Sequence, residues 1–334
     1  MPAYWMITNR KAAKNGFGAS EDKLTYWTTD ATVLADLRNK SSWTSMKGES
    51  FKKALAEAAA QFPALSDPES HYQQKHVALF VHGYNNSWTD AVNRYHQIQT
   101  QIMDPAGLGV CVLFTWPSDG RKLGYYPDRI DARRTADELS FVFTELYKHM
   151  QAMQRLAMEH PEKECRAKVS VLAHSMGAFV VQKALAHAWA NQNQPLTASL
   201  INQMLLISAD ADSDLFSSGE QIDRSEGDAM ANLCYRITCL YTGRDPVLGV
   251  SAGLKHFGAR RLGRSGLRKN CAAPPCYPDN VWDYDMSRLI PANASNIHSA
   301  AFDSPLTISL IQRVMQGVDR QVIVDEFSRL PVAP

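Results

Sequence analysis

Residues 169–185 read VSVLAHSMGAFVVQKAL, and this stretch decides the fold. A β-branched apolar run ends at Ala173, the turn HSMG follows, and small and apolar residues then predict a helix over residues 176–190. A serine on a strand–turn–helix segment, with small residues two positions before and after it, is typical of a nucleophile elbow. Ala173 stands where glycine is usual, and its methyl group is small enough for the tight turn. We therefore predict that Ser175 is a nucleophile; the alternative is that it only caps the helix.

The same turn predicts one half of an oxyanion hole. Ser175 lies at the N-terminus of the following helix, where exposed N–H groups and the helix dipole favour negative charge. The N–H of Met176 is therefore the expected first donor. Earlier in the chain, LFVHGYNNSW ends another apolar run, and the N–H of Tyr84 is the expected second donor, with Asn85 as the alternative. His82 precedes the serine, so we interpret it as a structural residue whose ring bonds nearby backbone.

The chain beyond residue 75 alternates apolar runs with helical patterns, which is typical of a doubly wound, mostly parallel α/β sheet. Strands are predicted over residues 76–84, 110–116, 168–173, 204–209, 235–242 and 281–285. Helices are predicted over residues 87–103, 128–159, 176–190 and 305–317. The first of these has Ser87 as its N-cap and Asp90 at its third position. The sheet core is expected to contain Leu79, Val81, Val112, Phe114, Val169, Val171, Leu205, Ile207, Ile237 and Cys239.

Residues 1–75 are expected to form an N-terminal extension that packs on a single main domain of residues 76–334. The extension has predicted strands over residues 4–8 and 24–28 and a predicted helix over residues 50–61. The two strands should extend the sheet at one edge with an antiparallel start. Segments 208–234 and 243–280 are too short for an independent domain, so no large cap is expected.

The order of the catalytic residues along the chain indicates which aspartate is the acid. In folds with this elbow the order is serine, then acid, then histidine, and the acid follows a later strand. Asp210 and Asp245 each follow a predicted strand after the serine. The turn between Gly243 and Pro246 is rigid enough to aim one carboxylate, and the later strand is the usual place for the acid. Asp245 is therefore the predicted acid, with Asp210 as the alternative.

Three histidines follow the serine, namely His187, His256 and His298. His187 lies in the helix that begins at the elbow, on a turn that should point away from the site. His256 follows the predicted acid too closely to leave room for a crossover helix and another strand. His298 follows Asp245 by enough residues for a crossover helix and another strand. It lies in a predicted loop over residues 293–299, before the last main helix. We predict that His298 is the general base; the alternative is a surface-loop histidine.

Side chains at the carboxyl edge of the predicted strands should shape the substrate pocket. Trp116 and Pro117 end one strand and Tyr126 follows closely, while Asn85 and His174 lie beside the expected oxyanion donors and the nucleophile. For Trp116 and Pro117, packing under the edge of the sheet is an equal alternative. These five residues are our candidate pocket residues.

Composition narrows the class of protein. The chain has 334 residues, of which 45% are hydrophobic, and a formal net charge of +1, which supports a folded core and disfavours a nucleic-acid partner. Its N-terminus shows no secretory pattern, and no apolar stretch is long enough to span a bilayer, so a cytoplasmic protein is expected. The six cysteines lack zinc-ligand spacing, so no metal is expected.

Five of the six cysteines fall into two groups. Cys111, Cys234 and Cys239 fall in predicted strands, where a thiol behaves as a small hydrophobic group. Cys271 and Cys276 bracket the segment CAAPPC, and we interpret them as free thiols, with a local disulfide as the alternative.

Two charged segments follow the predicted strands. Residues 255–270 carry six Lys or Arg and no acid. We interpret them as a solvated loop, with a site for an anionic substrate group as the alternative. Asp210, Asp212 and Asp214 are interpreted as part of a solvated loop that caps the next helix, with a cation site as the alternative.

Several longer segments, taken together, resemble those of a known family. They are ITNR, VHGYNNSWTDAVNR, VLFTWPSDG, LGYYPDR, LAHSMGAF, ISADADSDLF, LYTGRDPVL, RRLG and IHS, and they extend from about Thr8 to His298. The chain resembles a bacterial family of α/β-hydrolases of unknown function that is distantly lipase- and esterase-like. The resemblance implies an α/β-hydrolase fold and hydrolase activity. It also implies that nucleophile, acid and base fall on Ser175, Asp245 and His298, and it does not imply a substrate.

These observations predict a serine hydrolase that cleaves small-molecule carboxylic esters, with small or medium acyl chains favoured and no cofactor. A thioesterase, amidase or acyltransferase would use the same three residues, and a binding protein could keep the fold without turnover. An epoxide hydrolase or haloalkane dehalogenase is excluded, because those enzymes need a carboxylate where this chain has Ser175.

Overall fold

The apolar runs of the sequence become neighbouring strands of one sheet. The computed structural model describes residues 2–62, 74–118, 125–160, 167–191, 199–217, 224–255, 258–270, 275–331 and 333. The strands are β1 (Tyr4–Ala12), β2 (Phe17–Thr29), β3 (Thr44–Met46), β4 (Lys75–Val81), β5 (Gly109–Thr115), β6 (Ala167–His174), β7 (Ile201–Ile207), β8 (Cys234–Tyr241) and β9 (Val281–Asp285). Over the described ranges they form one nine-stranded sheet in the order β3-β2-β1-β5-β4-β6-β7-β8-β9.

Strand β2 is antiparallel to its neighbours β1 and β3, and the other adjacent strands are parallel. The mostly parallel, doubly wound sheet is therefore confirmed. The N-terminal strands extend it at one edge, as predicted, with β1 parallel to β5 and β2 turning back. This arrangement places the end of β1 beside the end of β5, at the carboxyl edge of the sheet.

Helices follow most of the strands. They are α1 (Leu34–Leu37), α2 (Gly48–Ala60), α3 (Trp88–Gln97), α4 (Tyr125–Glu159), α5 (Met176–Asn191), α6 (Arg224–Leu233), α7 (Pro246–Val250), α8 (Leu262–Ser265), α9 (Pro305–Met315) and α10 (Arg320–Ser328). Helix α3 begins with the predicted capping box, in which Ser87 and Asp90 bond each other's backbone N–H. A π-helical segment, Ile98–Met103, continues it.

Apolar side chains on the two faces of the sheet enter two separate cores. Successive residues of a strand point to opposite faces, so Leu79 and Val81 pack with α2, α4, α5 and α6, whereas Ala78 and Phe80 pack with α3, α9 and α10. Because both faces are covered, the central strands read as continuous apolar runs rather than as alternating ones. Of the ten predicted core residues, all are buried except Val169, which is partly buried against the first core.

Some elements were not predicted, and the shortest of them share a physical reason. Strand β3 has only three residues, and α7 and α8 have five and four, so none of them contains a full hydrophobic period. Helix α10 follows what was predicted to be the last main helix, and α6 precedes β8. The loop predicted over residues 293–299 ends earlier, because a 3-10 helix, Ile297–Phe302, contains His298.

The predicted states of the cysteines were correct in part. Cys111, Cys234 and Cys239 are buried free thiols inside β5 and β8, as expected. Cys276 is disulfide-bonded, so its interpretation as a free thiol was wrong. Its predicted neighbour in the segment CAAPPC, Cys271, lies outside the described residues.

Candidate active site

Ser175 lies on a strained turn between β6 and α5. Its φ angle is +54°, which side-chain-bearing residues rarely adopt and which a nucleophile elbow requires. The Ser175 N–H donates to the Ile207 carbonyl at 3.0 Å, and the Ser175 carbonyl accepts from the Asp210 N–H at 3.0 Å. Both partners belong to the β7 strand and the residues just after it. The adjacent strand therefore holds the turn in its strained conformation.

Small residues allow the elbow to pack against the neighbouring strand β4. A Cβ at Gly177 would lie 2.4 Å from the Val81 carbonyl oxygen and 2.5 Å from that of His82, so any side chain there would displace backbone. Ala173, on the other side of the serine, is completely buried. The structure thus accommodates the methyl group at this position, whereas Gly177 has no room for one.

The three residues predicted as nucleophile, base and acid lie together in a hydrogen-bonded line. His298 Nε2 is 2.8 Å from Ser175 Oγ, and His298 Nδ1 is 2.6 Å from Asp245 Oδ2. Ser175 is 2% exposed, His298 8% and Asp245 0%. The Asp245 carboxylate can accept a hydrogen bond from a protonated His298 Nδ1, which leaves Nε2 free to accept the proton of Ser175.

Asp245 is held by the turn that carries it. It is the N-cap of α7, where its Oδ1 accepts the N–H of Leu248 at 3.1 Å. Its backbone carbonyl accepts a hydrogen bond from the Arg264 guanidinium. One carboxylate oxygen is therefore fixed by the helix, and the other is aimed at the histidine.

His174, the residue before Ser175, contacts both the backbone and the ring of His298. His174 Nε2 donates to the His298 carbonyl at 3.1 Å, and the two rings lie 4.9 Å apart. Burial, with a further contribution from the charge of the nearby His298, lowers the pKa of His174 well below its usual value. His174 is therefore neutral, and it hydrogen-bonds to the backbone of His298; it was predicted only as a pocket residue.

The loop of residues 83–86 lies directly against Ser175. A Cβ at Gly83 would be 2.7 Å from the Ser175 Cβ and 3.2 Å from its Oγ, so only glycine permits this approach. Tyr84 follows Gly83 directly, and Asn85 has a φ of +57°, in the left-handed region. The predicted second oxyanion donor, the Tyr84 N–H, thus belongs to a loop in contact with the serine. Its role as a donor remains a proposal.

The remaining pocket candidates occupy different environments. Trp116 is completely buried, stacks on His82 with ring centroids 5.4 Å apart, and donates its Nε1–H to the His82 carbonyl at 2.9 Å. Pro117 is also buried. These contacts favour the packing interpretation over a pocket wall. Tyr126 is in the first turn of α4, and its side chain lies outside the described part of the structure, as does all of His256.

The two charged segments pair with each other. Arg261 and Asp210 are almost fully buried, and the Arg261 Nε donates to Asp210 Oδ1 at 2.8 Å. Arg261 also bonds the carboxylate of Asp212, and Arg268 lies 3.4 Å from that of Asp214. Both segments were interpreted as solvated loops, and for this buried pair that interpretation was wrong. The reason is that each segment supplies the counter-charge that the other needs in order to be buried.

This pairing keeps the Asp210 carboxylate away from His298. Its Oδ1 accepts from Arg261 and, at 2.9 Å, from the Ser251 hydroxyl, while its N–H holds the Ser175 carbonyl. The Asp210 carboxylate therefore contacts Arg261 and Ser251, and Asp245 is the aspartate that contacts His298. Among the described residues no group of three or more His, Cys, Asp and Glu side chains could hold a metal ion.

Breaking the buried pair should cost stability. We expect Arg261→Met to lower the free energy of unfolding by about 3–5 kcal/mol, because Asp210 would be left buried without its counter-charge. The control is Arg268→Met, since Arg268 is about half exposed and should change stability by less than about 0.5 kcal/mol. Urea unfolding followed by circular dichroism measures both. Equal stability of the two variants would contradict this account of the segment.

A large apolar cavity lies elsewhere. It has a volume of about 1460 Å³ between α2, α4 and the face of the sheet, and its lining includes Phe51, Leu146 and Met150. Its lining includes none of Ser175, Asp245, His298 or the loop of residues 83–86. We therefore do not assign it to the chemistry of Ser175.

The fold and the site together define an α/β hydrolase. Residues 58–272 match the model of the family described as "Alpha/beta hydrolase of unknown function (DUF900)", and the chain belongs to this family. A comparison with curated proteins gave no match. In the described residues no helix has the length and apolar character needed to cross a membrane.

The solved structures that match this chain are only distantly similar to it. A phospholipase, PlaB from Legionella pneumophila in complex with thio-NAD, is 13% identical, with 77% of this chain and 62% of that chain covered and a TM-score of 0.40. Aspergillus fumigatus lipase B is 12% identical, with 80% of this chain and 60% of that chain covered and a TM-score of 0.34. Pyrococcus horikoshii acylaminoacyl peptidase is 13% identical, with 97% of this chain and 51% of that chain covered and a TM-score of 0.32. The chain spans less than two thirds of each of these proteins, and nothing about its substrate follows from them.

Proposed function

We propose that the protein is a serine hydrolase that cleaves carboxylic esters, with small or medium acyl chains favoured. The observation that carries this proposal is the hydrogen-bonded line from Ser175 Oγ through His298 to Asp245, with distances of 2.8 and 2.6 Å. The strained backbone at Ser175 supports it, because such strain persists where the surrounding fold enforces it for chemistry.

In the proposed reaction His298 Nε2 removes the proton of Ser175 as Oγ attacks the ester carbonyl. Asp245 holds the imidazole in the correct tautomer and stabilises the imidazolium that forms. The N–H groups of Met176 and Tyr84 bind the oxyanion of the tetrahedral intermediate. His298 then protonates the leaving alcohol, and an activated water molecule hydrolyses the acyl-enzyme to release the acid.

The type of bond that is cleaved can be tested with three substrates that carry the same butyryl group on oxygen, sulfur or nitrogen. We expect p-nitrophenyl butyrate to be turned over with a higher kcat/KM than butyrylthiocholine or butyryl p-nitroanilide. A series of p-nitrophenyl esters from acetate to palmitate then measures the acyl pocket, and we expect its optimum below palmitate.

The other outcomes identify the alternatives. Faster turnover of the thioester or the anilide would replace the proposal by a thioesterase or an amidase. Ester turnover that rises with an added alcohol and yields a new ester would indicate an acyltransferase. No turnover and no acyl-enzyme by mass spectrometry would leave a binding protein with this fold.

The cytoplasmic location also stays a prediction. The disulfide at Cys276 counts against it, because disulfides are rare in reducing compartments. Mass spectrometry of the protein alkylated directly after lysis of its native cells would show which redox state Cys276 has there.

A further inference from the structure

A buried arginine of the N-terminal strand reaches the loop beside Ser175. Arg10 is 2% exposed, and it lies near the end of β1, two residues beyond Thr8, which pairs with Thr115 at the end of β5. Its Nη2 donates to the Asn86 carbonyl at 2.7 Å, and its Nε donates to Thr115 Oγ1 at 2.9 Å. The guanidinium therefore joins the end of β5 to the last residue of the loop of residues 83–86.

From Thr115 the hydrogen bonds continue to the other end of the same loop. Thr115 is completely buried, and its Oγ1 is 2.9 Å from His82 Nε2. His82 Nδ1 is 2.8 Å from the Gly83 carbonyl. Asn86 completes the loop, since its Nδ2 donates to the carbonyls of Gly83 and Tyr84 at 3.0 and 2.8 Å. Both ends of the loop are thus tied to one buried network.

The direction of these bonds is fixed by the donors. The Trp116 N–H donates to His82 Nε2 at 3.2 Å, so Nε2 is an acceptor and the proton of the ring is on Nδ1, which donates to Gly83. Thr115 then donates its hydroxyl to Nε2 and accepts from Arg10. Burial, assisted by the charge of Arg10, lowers the pKa of His82 to about 3, so the ring stays neutral and keeps this pattern at ordinary pH.

The loop that the network holds is the one that Ser175 contacts. With Gly83 this close to the serine, a small displacement of the loop moves the Tyr84 N–H relative to the attacked carbonyl. Oxyanion donors act only when they are placed within hydrogen-bond distance of the developing charge. We propose that Arg10, Thr115 and His82 are positioning residues that hold this loop for oxyanion binding, an inference that rests on the proposed function.

The inference gives the first strand a part in the reaction. Strand β1 lies outside residues 58–272, the part of the chain that matches the family model. Arg10 belongs to the segment ITNR, which the sequence marked only as a point of family resemblance. Its partner Thr115 ends a strand about a hundred residues later, so the pair arises only because β1 inserts next to β5.

The sharpest test removes one hydroxyl. Thr115→Val keeps the volume of the side chain and removes the bonds to both Arg10 and His82, whereas Thr115→Ser keeps them. For Thr115→Val we expect kcat on p-nitrophenyl butyrate to fall about 10- to 100-fold, less than the loss of a whole oxyanion donor, with KM nearly unchanged. Thr115→Ser should stay close to the wild type.

A second readout reports on the oxyanion itself. Alkyl trifluoromethyl ketones add to a nucleophilic serine to form a tetrahedral oxyanion, which 19F NMR detects. Their affinity should fall in Thr115→Val by the same factor as kcat/KM, which a general loss of packing would not produce. Wild-type kcat and ketone affinity in folded Thr115→Val, or equal damage in Thr115→Ser, would overturn the inference.

Two further proteins keep the outcomes separate. If Thr115→Val does not fold, Arg10→Lys replaces it, because lysine keeps the charge and cannot bond Thr115 and Asn86 together; a wild-type kcat would then overturn the inference. Ser175→Ala is measured alongside. Ester turnover by Ser175→Ala, or no ketone adduct on the wild type, overturns the proposed function itself rather than the role of the network.

Discussion

Ser175→Ala is expected to lower kcat for ester hydrolysis by about 10⁴- to 10⁶-fold, close to the uncatalysed rate in the assay. Without Oγ there is no nucleophile 2.8 Å from the His298 ring, and no acyl-enzyme can form. The substitution removes one buried hydroxyl and keeps a small side chain in the tight turn, so the fold should persist. Hydrolysis of p-nitrophenyl esters and trapping of the acyl-enzyme by mass spectrometry measure the effect.

The chain offers a matched control for this substitution. Ser170 is also buried on β6, and its Oγ is also 2.8 Å from a histidine nitrogen, Nδ1 of His76. It lies within the regular strand rather than on the elbow, and burial lowers the pKa of His76 to about 4. Ser170→Ala should therefore keep the wild-type kcat. Equal losses in both variants, or turnover by Ser175→Ala, would contradict the assignment of the nucleophile.

The nucleophile and the base could be proposed from the sequence, because the nucleophile lies in a contiguous motif and the base follows from the order of catalytic residues along the chain. The elbow is a contiguous pattern, and only glycine at residue 177 leaves room for the Val81 carbonyl. His298 followed from the order of groups along the chain, although the structure places it in a 3-10 helix rather than a loop. Short helices of this kind have no hydrophobic period, so a pattern of polarity cannot predict them.

The supporting contacts were not predictable for the opposite reason. Arg261 and Asp210 are 51 positions apart, and in sequence they appear only as members of a basic and an acidic run. Their pairing exists because the segment before α8 lies alongside the residues after β7, where Asp212 and Arg261 form an isolated antiparallel bridge. Such contacts depend on tertiary packing, and charge runs by themselves predict solvated loops.

Asp245→Asn should lower kcat by about 10⁴-fold with little change in the fold, because the wrong tautomer of His298 is then stabilised. The amide oxygen can still accept the Leu248 N–H, so the cap of α7 is kept. The amide NH2, however, would donate to His298 Nδ1, which moves the ring proton to Nε2, the atom that must accept the proton of Ser175. Steady-state kinetics on p-nitrophenyl butyrate, with thermal unfolding in parallel, measures both consequences.

Asp210→Asn is the informative comparison, because Asp210 is the other aspartate that follows a strand after the elbow. Its carboxylate faces Arg261 and Ser251 rather than the histidine. The substitution should therefore lower the unfolding temperature, since a buried charge pair is broken, while kcat of the folded protein changes by less than about tenfold. The two aspartates thus predict opposite patterns, one in rate and one in stability. If Asp210→Asn lost the rate and Asp245→Asn kept it, the acid would have to be reassigned, because replacing the residue that sets the tautomer of His298 must lower kcat.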